Sequence, residues 1–184
     1  MSESEPNVEA DRHLFVLRLA SELTRKSNKT RRRFQKQLVR NLAEALRSTG
    51  CEFQIEDRWS RIFVEVDRPE AAKVFRRVFG LTSFSRVDAT IPADLDRIVQ
   101  VGHELYKDVI GGRTFAVAAR RTGRHAFSSQ QIREELGAAL NPYGRVRLNE
   151  PEVTVAVEVR EQEAFFYQDP TRGAGGLPLG TQGT

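Results

Sequence analysis

Cysteine is almost missing from this 184-residue chain, which has only Cys51. A single thiol excludes an intramolecular disulfide, a redox thiol pair and a four-cysteine zinc cluster within the chain. A lone free cysteine usually behaves as a compact core hydrophobe, so Cys51 is expected to be buried at the start of a strand. Long apolar runs are missing too: none approaches the roughly 18 to 20 residues a membrane helix needs. The opening segment, Met1 to Arg12, is acidic where a signal peptide would be basic and then greasy. A cytoplasmic protein with no membrane association is expected. Enzyme signatures are lacking as well, since the sequence has no Walker-type phosphate loop, no GxGxxG after a strand, no HExxH, no CxxC and no GxSxG. His13, His103 and His125 are scattered, so neither a metal site nor a catalytic residue is expected.

What is present is segregated positive charge. The net charge is only +4, yet Thr24 to Arg40 (TRKSNKTRRRFQKQLVR) holds eight basic residues and no acid. Arg113 to Arg133 holds five more, again with no acid. These two stretches carry 13 of the 29 basic residues and none of the 25 acids, so the rest of the chain is acidic. Concentrated cations on an acidic body suit a directed contact with a polyanion.

Hydrophobic periodicity places these stretches on a framework. Leu14 to Ala20 reads as a buried strand, and Arg31 to Ser48 as an amphipathic helix (Phe34, Leu38, Leu42, Ala45, Leu46) closed by Gly50. Cys51 to Asp57 and Arg61 to Asp67 form a hairpin with Trp59 alongside. Pro69 opens a second helix, and Leu81 to Thr90 is a fourth strand. Strand, helix, strand, strand, helix, strand is the ferredoxin-like order. Ile91–Pro92 is the expected boundary, because proline discourages helix in the residue before it. Beyond it come a helix from Asp94 to Ile110 and a strand from Arg113 to Arg121. A second helix opens with a capping box at Ser128 and Gln131, and three strand candidates follow: Val146 to Leu148, Val153 to Val159 and Ala164 to Gln168. The fold class is therefore α+β: a ferredoxin-like βαββαβ domain followed by an α/β domain. The expected spans are an acidic disordered tail (1–12), the ferredoxin-like domain (13–91), the second domain (92–170), and a linker or tail (171–184) too rich in Gly, Pro and Thr to pack. The glutamates between Glu150 and Glu163 are expected to face solvent.

Two segments offer binding chemistry. The loop from Ser21 to Thr30, running into Arg31, Arg32 and Arg33, combines cationic groups, hydroxyls and a helix start, all suited to phosphate oxygens. A solvated helix face without a ligand is its alternative. Ala119 to Gln131 places Arg120, Arg121, Arg124 and His125 after a strand, with two serines at a helix start. Phe127 there is either a packing anchor or a stacking ring for a base. His125 suits a phosphate or ribose contact better than acid–base work, because no partner carboxylate lies near it in sequence.

The segments ELTRKSNKTRRRFQKQLVRNL, FAVAARRTGRHAFSSQQI, LNEPEVTVAVEVR and GAGGLPLGTQG, in this order, resemble the N-terminal half of the 4-thiouridine synthetase (tRNA sulfurtransferase) family. The resemblance implies a ferredoxin-like domain followed by a THUMP domain, together gripping the acceptor stem and 3′ CCA end of tRNA. It implies RNA contact by Lys26, Lys29, Arg31 and Arg33 in the first domain, and by Arg120, Arg121, Arg124, His125, Ser128 and Ser129 in the second. The family's SGGxDS-type nucleotide loop is not present, so ATP is expected only on a domain outside this sequence and no cofactor within it. The expected partners are tRNA and a separate ATP-pyrophosphatase or sulfur-carrier chain, with a homodimer left open. Two alternatives stand beside this reading. One is a THUMP module serving tRNA methylation, pseudouridylation or deamination; the other is a module binding an acidic protein partner.

Overall fold

β1 (His13–Leu19) shows how the sequence builds the first unit. Alternate residues of a strand face opposite sides, so Phe15, Leu17 and Leu19 point together into a core where Leu17 is fully buried. The structure, a computed structural model, describes residues 12–58, 60–167 and 169–181. The expected acidic tail (apart from Arg12), Trp59, Gln168 and the last three residues lie outside the described residues. The described residues divide into two units: one contains the chain up to Ser85 together with the segment from Pro170 onward, and the other spans Arg86–Asp169.

In the first unit, β1 leads through the short α1 (Ser21–Thr24) to the long α2 (Asn28–Arg47). α2 starts before the expected Arg31 because the Ser27 hydroxyl accepts the Thr30 N–H at 3.4 Å and caps the helix one turn earlier. Its Leu38, Leu42 and Leu46, one turn apart, are fully buried. β2 (Phe53–Arg58) and β3 (Arg61–Val66) form the hairpin, with β3 also antiparallel to β1. The helix opened by Pro69 is a 3-10 helix (Pro69–Arg77). It buries Phe75, whose ring meets Phe15 and Phe84 edge-on at 5.6 and 5.2 Å. The sheet order is β2-β3-β1-β4, where β4 covers Leu81–Pro92. Cys51 is buried beside this core.

The Gly-rich end of the chain departs from expectation. Instead of running free as a linker, Thr171–Arg172 forms a short strand, β9, antiparallel to Ser83–Phe84 of β4. Gly173 and Gly175 then donate to the Thr82 and Leu81 carbonyls at 2.8 and 2.7 Å, and Gly80 donates back to Gly175. Leu177 packs against the core, and Asn41 on α2 donates to the Leu179 carbonyl at 3.1 Å. The glycines make this docking sterically feasible, because a Cβ at Gly173 would lie 2.4 Å from the Leu81 carbonyl oxygen. Backbone hydrogen bonds, which composition does not report, hold the strap in place.

In the second unit, residues Val87–Pro92 of β4 pair antiparallel with β8 (Glu163–Tyr167). β8 pairs with β7 (Val153–Arg160), which lies parallel to β5 (Thr114–Thr122), and β5 lies parallel to the two-residue β6 (Arg145–Val146). The strand therefore ends at the expected boundary, Ile91–Pro92, while the two units divide earlier within it, at Ser85/Arg86. Pro92 is tolerated because it sits at the strand's end. α3 (Leu95–Ile110) and α4 (Ser129–Leu140) cover one face, burying Ile98, Ile110, Ile132, Leu136 and Leu140 against Phe115, Val155 and Phe166. The capping box at Ser128 and Gln131 is present. Of the glutamates expected to face solvent, Glu158 instead lies buried on β7. Its charge is compensated there by Arg160 Nε at 2.6 Å and the Tyr167 hydroxyl at 3.0 Å. Among the described residues, no helix is long and apolar enough to cross a membrane.

Candidate nucleic-acid interface

In the first unit the cations gather on one stripe of α2. Lys29, Arg33, Lys36 and Arg40 follow one another at spacings of four, three and four, which keeps them on one helical face over about 16 Å. Phe34, Leu38 and Leu42 occupy the opposite, buried face. All four cations are exposed, and none has an ion-pair partner among the described residues. Lys26 is exposed just ahead of the Ser27 cap, whereas Arg31 is half-buried and turns away from the stripe. No acidic residue occupies the first turn of α2, so cations crowd the positive end of the helix dipole, an arrangement that an incoming anion would relieve. Lys36 and Arg40 belong to this surface together with the earlier cations that the resemblance implies. The four-three-four spacing is the signal that finds them.

The second segment divides more finely. Along β5, Arg121 continues the face of Phe115, Val117 and Ala119, which α3 and α4 cover, and Arg120 lies on the opposite face. Both arginines are exposed. After the strand, Gly123 turns with φ +103°, a conformation that favours glycine. Arg121 Nη1 donates to the Gly123 carbonyl at 2.8 Å and approaches His125 Nδ1 at 3.2 Å. His125 Nε2 lies 2.6 Å from the Glu161 carbonyl in the β7–β8 turn. Arg124 is exposed in the same loop, with no hydrogen-bond or ion-pair partner among the described residues. Ser128 uses its hydroxyl to cap α4, accepting the Gln131 N–H at 3.1 Å, and Ser129 is half-buried at the first position of that helix. Phe127 is buried and belongs to the core, which settles the packing-anchor alternative in its favour. Thus Arg121, Arg124 and His125 share one loop, Arg120 stands on the other face of the strand, and the two serines hold the helix start.

Elsewhere in this unit, neighbours shift the titration of Glu152 and Tyr106. The Glu152 carboxylate accepts the Thr114 N–H at 2.7 Å and the Thr114 hydroxyl at 2.8 Å, and these bonds hold its pKa below the ordinary value of 4.5. Burial, aided by the Asp88 carboxylate 2.6 Å away, pushes the Tyr106 phenol upward.

Two family profiles match this architecture: the ThiI ferredoxin-like domain over residues 14–85 and the THUMP domain over residues 92–169. The chain therefore carries a ThiI ferredoxin-like domain followed by a THUMP domain, and it corresponds to the N-terminal half of relatives named tRNA sulfurtransferase. It is 33% identical over 177 residues to the tRNA sulfurtransferase of Shewanella sp. (strain ANA-3), with 91% of this chain and 37% of that protein covered. It is 37% identical over 191 residues to the probable tRNA sulfurtransferase of Methanosarcina mazei, with 99% and 45% covered. The chain thus spans less than half the length of these relatives. Among solved structures, PH1313 from Pyrococcus horikoshii Ot3 superposes with a TM-score of 0.78 at 28% identity, covering 92% of this chain and 58% of that one. A 4-thiouridine synthetase–RNA complex with bound ATP shares the fold, with a TM-score of 0.73 at 23% identity and 92% and 44% covered.

Proposed function

We propose that the chain is a tRNA-binding module that grips the acceptor stem and 3′ CCA end of tRNA for 4-thiouridine formation, the chemistry being supplied by an ATP-pyrophosphatase/sulfurtransferase domain outside the present sequence. The observation that carries this reading is the exposed stripe Lys29–Arg33–Lys36–Arg40 on α2, without ion-pair partners among the described residues, in a chain whose relatives are tRNA sulfurtransferases. Cations at this spacing meet phosphates along a backbone and give orientation without reading sequence. Arg120, Arg121 and Arg124 add a second set of guanidinium groups suited to phosphate oxygens. ATP belongs, in this reading, to the catalytic domain and its chain, and the present chain binds RNA without a cofactor.

The test is binding of the purified chain to a tRNA with an intact 3′ CCA and to the same tRNA lacking it, at two salt concentrations. Tighter, salt-dependent binding of the intact tRNA is expected. If about five phosphates are neutralised, log K falls with log salt at a slope of about −3 to −5. A slope near zero, or equal and weak binding of both RNAs, sinks the proposal and favours an acidic protein partner.

A further inference from the structure

Within the second unit, one side chain in the basic loop has both ring nitrogens committed to the protein itself. His125 Nε2 lies 2.6 Å from the Glu161 carbonyl oxygen, which can only accept, so Nε2 carries the proton. Arg121 Nη1, 3.2 Å from Nδ1, can only donate, so Nδ1 offers its lone pair. The two contacts require the same species, the neutral Nε2–H tautomer. The ring also lies 5.4 Å from the Phe127 ring, in core contact. Around it the backbone is tightly set: Glu161 has φ +49°, its N–H donates to the Thr122 carbonyl at 3.3 Å, and a Cβ on Gly123 would stand 3.3 Å from His125 Cε1.

We infer that His125 is a positioning residue and not an RNA contact: it ties the β5–α4 loop to the β7–β8 turn and holds the Arg121 guanidinium in one orientation for an anionic ligand. This rests on the RNA-binding reading above for what Arg121 meets, but the latch itself is a property of the free protein. Arg121 has two anchors, the Gly123 carbonyl and His125 Nδ1, and each uses Nη1, which leaves the other guanidinium nitrogens for a phosphate fork. Fixing the fork before the ligand arrives lowers the ordering cost of binding. His125→Ala then acts through Arg121, and its effect disappears once Arg121 is gone.

Two measurements on the full chain test this. In the ligand-free protein, the long-range proton–nitrogen spectrum of the His125 ring should show a protonated Nε2 and an unprotonated Nδ1, with the Nδ1 resonance moving in Arg121→Ala. An Nδ1–H tautomer, or a ring indifferent to Arg121→Ala, overturns the latch whatever the protein binds. In the second, a tRNA transcript ending in CCA is titrated against His125→Ala, Arg121→Ala and the double variant, with His125→Gln as a milder change should the alanine variant fold poorly. Each single variant should bind roughly three- to tenfold more weakly, as expected for one lost hydrogen-bonded contact, and the double variant no more weakly than Arg121→Ala alone. Additive losses would make His125 an RNA contact in its own right. Full-strength binding by His125→Ala beside weakened Arg121→Ala would show that Arg121 needs no latch. If none of the variants changes binding while the ring spectrum is as stated, the latch stands and the RNA-binding reading of this loop falls.

Discussion

Gly102 on α3 faces Leu136 on α4 so closely that a Cβ built on the glycine would stand 2.8 Å from one Leu136 methyl and 2.9 Å from the other, with Phe166 at 3.1 Å. The two helices meet at this point because Gly102 has no side chain to separate them. Overpacking of this kind costs about 1–3 kcal/mol, while alanine in place of glycine inside a helix returns up to about 1 kcal/mol. Gly102→Ala should therefore lose on the order of 1 kcal/mol and Gly102→Val more, both read as a lowered Tm. A Tm equal to or above that of the parent chain would mean that the helices are not in contact as described.

A second prediction concerns the C-terminal strap. Gly173→Ala places a methyl 2.4 Å from the Leu81 carbonyl oxygen, where only backbone movement makes room. The strap should detach, with new protease cleavage between residues 173 and 181 and a loss of about 1–3 kcal/mol from the hydrogen bonds and apolar contact given up. Unaltered cleavage and Tm would return this segment to the status of a linker.

The phosphate stripe predicts a change in salt dependence. Replacing Lys36 and Arg40 by alanine should reduce the slope of log K against log salt for tRNA by about 0.7–0.9 per residue. Both residues are exposed, so the Tm should stay near that of the parent chain. A slope that does not change removes the C-terminal half of the stripe from the interface.

Acid sensitivity follows from Glu152. Its pKa is lowered in the folded chain by the bonds from Thr114, so the folded state favours the ionised form. That contribution is complete above the ordinary value of 4.5 and is lost as pH falls through the lower folded-state value. In Glu152→Gln this component of the pH dependence should vanish, so Tm measured from pH 6 down to about pH 3 should fall less steeply than in the parent chain. Identical acid profiles would contradict the Thr114–Glu152 arrangement.

The distinction between cap and ligand is tested at Ser128. Ser128→Ala removes an N-cap and should cost about 1 kcal/mol of stability. If the hydroxyl serves only α4, tRNA affinity at a temperature where the variant is folded should match the parent's. A selective loss of affinity would give Ser128 a place in the interface.

Features fixed by neighbours in sequence were legible without a structure. The Ser128–Gln131 capping box depends on three-residue spacing, the buried Leu38–Leu42–Leu46 row on helical period, and the β2–β3 hairpin on alternation. Features made by remote partners were not. His125 reads as open to a ligand because no partner carboxylate lies near it in sequence, while the group that engages Nε2 is the backbone carbonyl of Glu161, distant in the chain. Glu158 looked like a surface acid until β8 brought Tyr167 to it. The strap is hidden in the sequence because its glycine content reads as lack of packing, although Gly173 and Gly175 are used for backbone pairing.

That strap alters how the first unit can come into being. Its strands β1 to β4 are synthesised early, yet β9 and Leu177 belong to the same unit and emerge only after Arg86–Asp169 has been made. The second unit is, in sequence terms, an insertion within the first. Because chains leave the ribosome from the N-terminus and domains fold as units, the first unit must wait, with the Leu81 and Thr82 carbonyls unpaired with the strap, until its last piece arrives. Of these two units, the one begun first is therefore the one finished second.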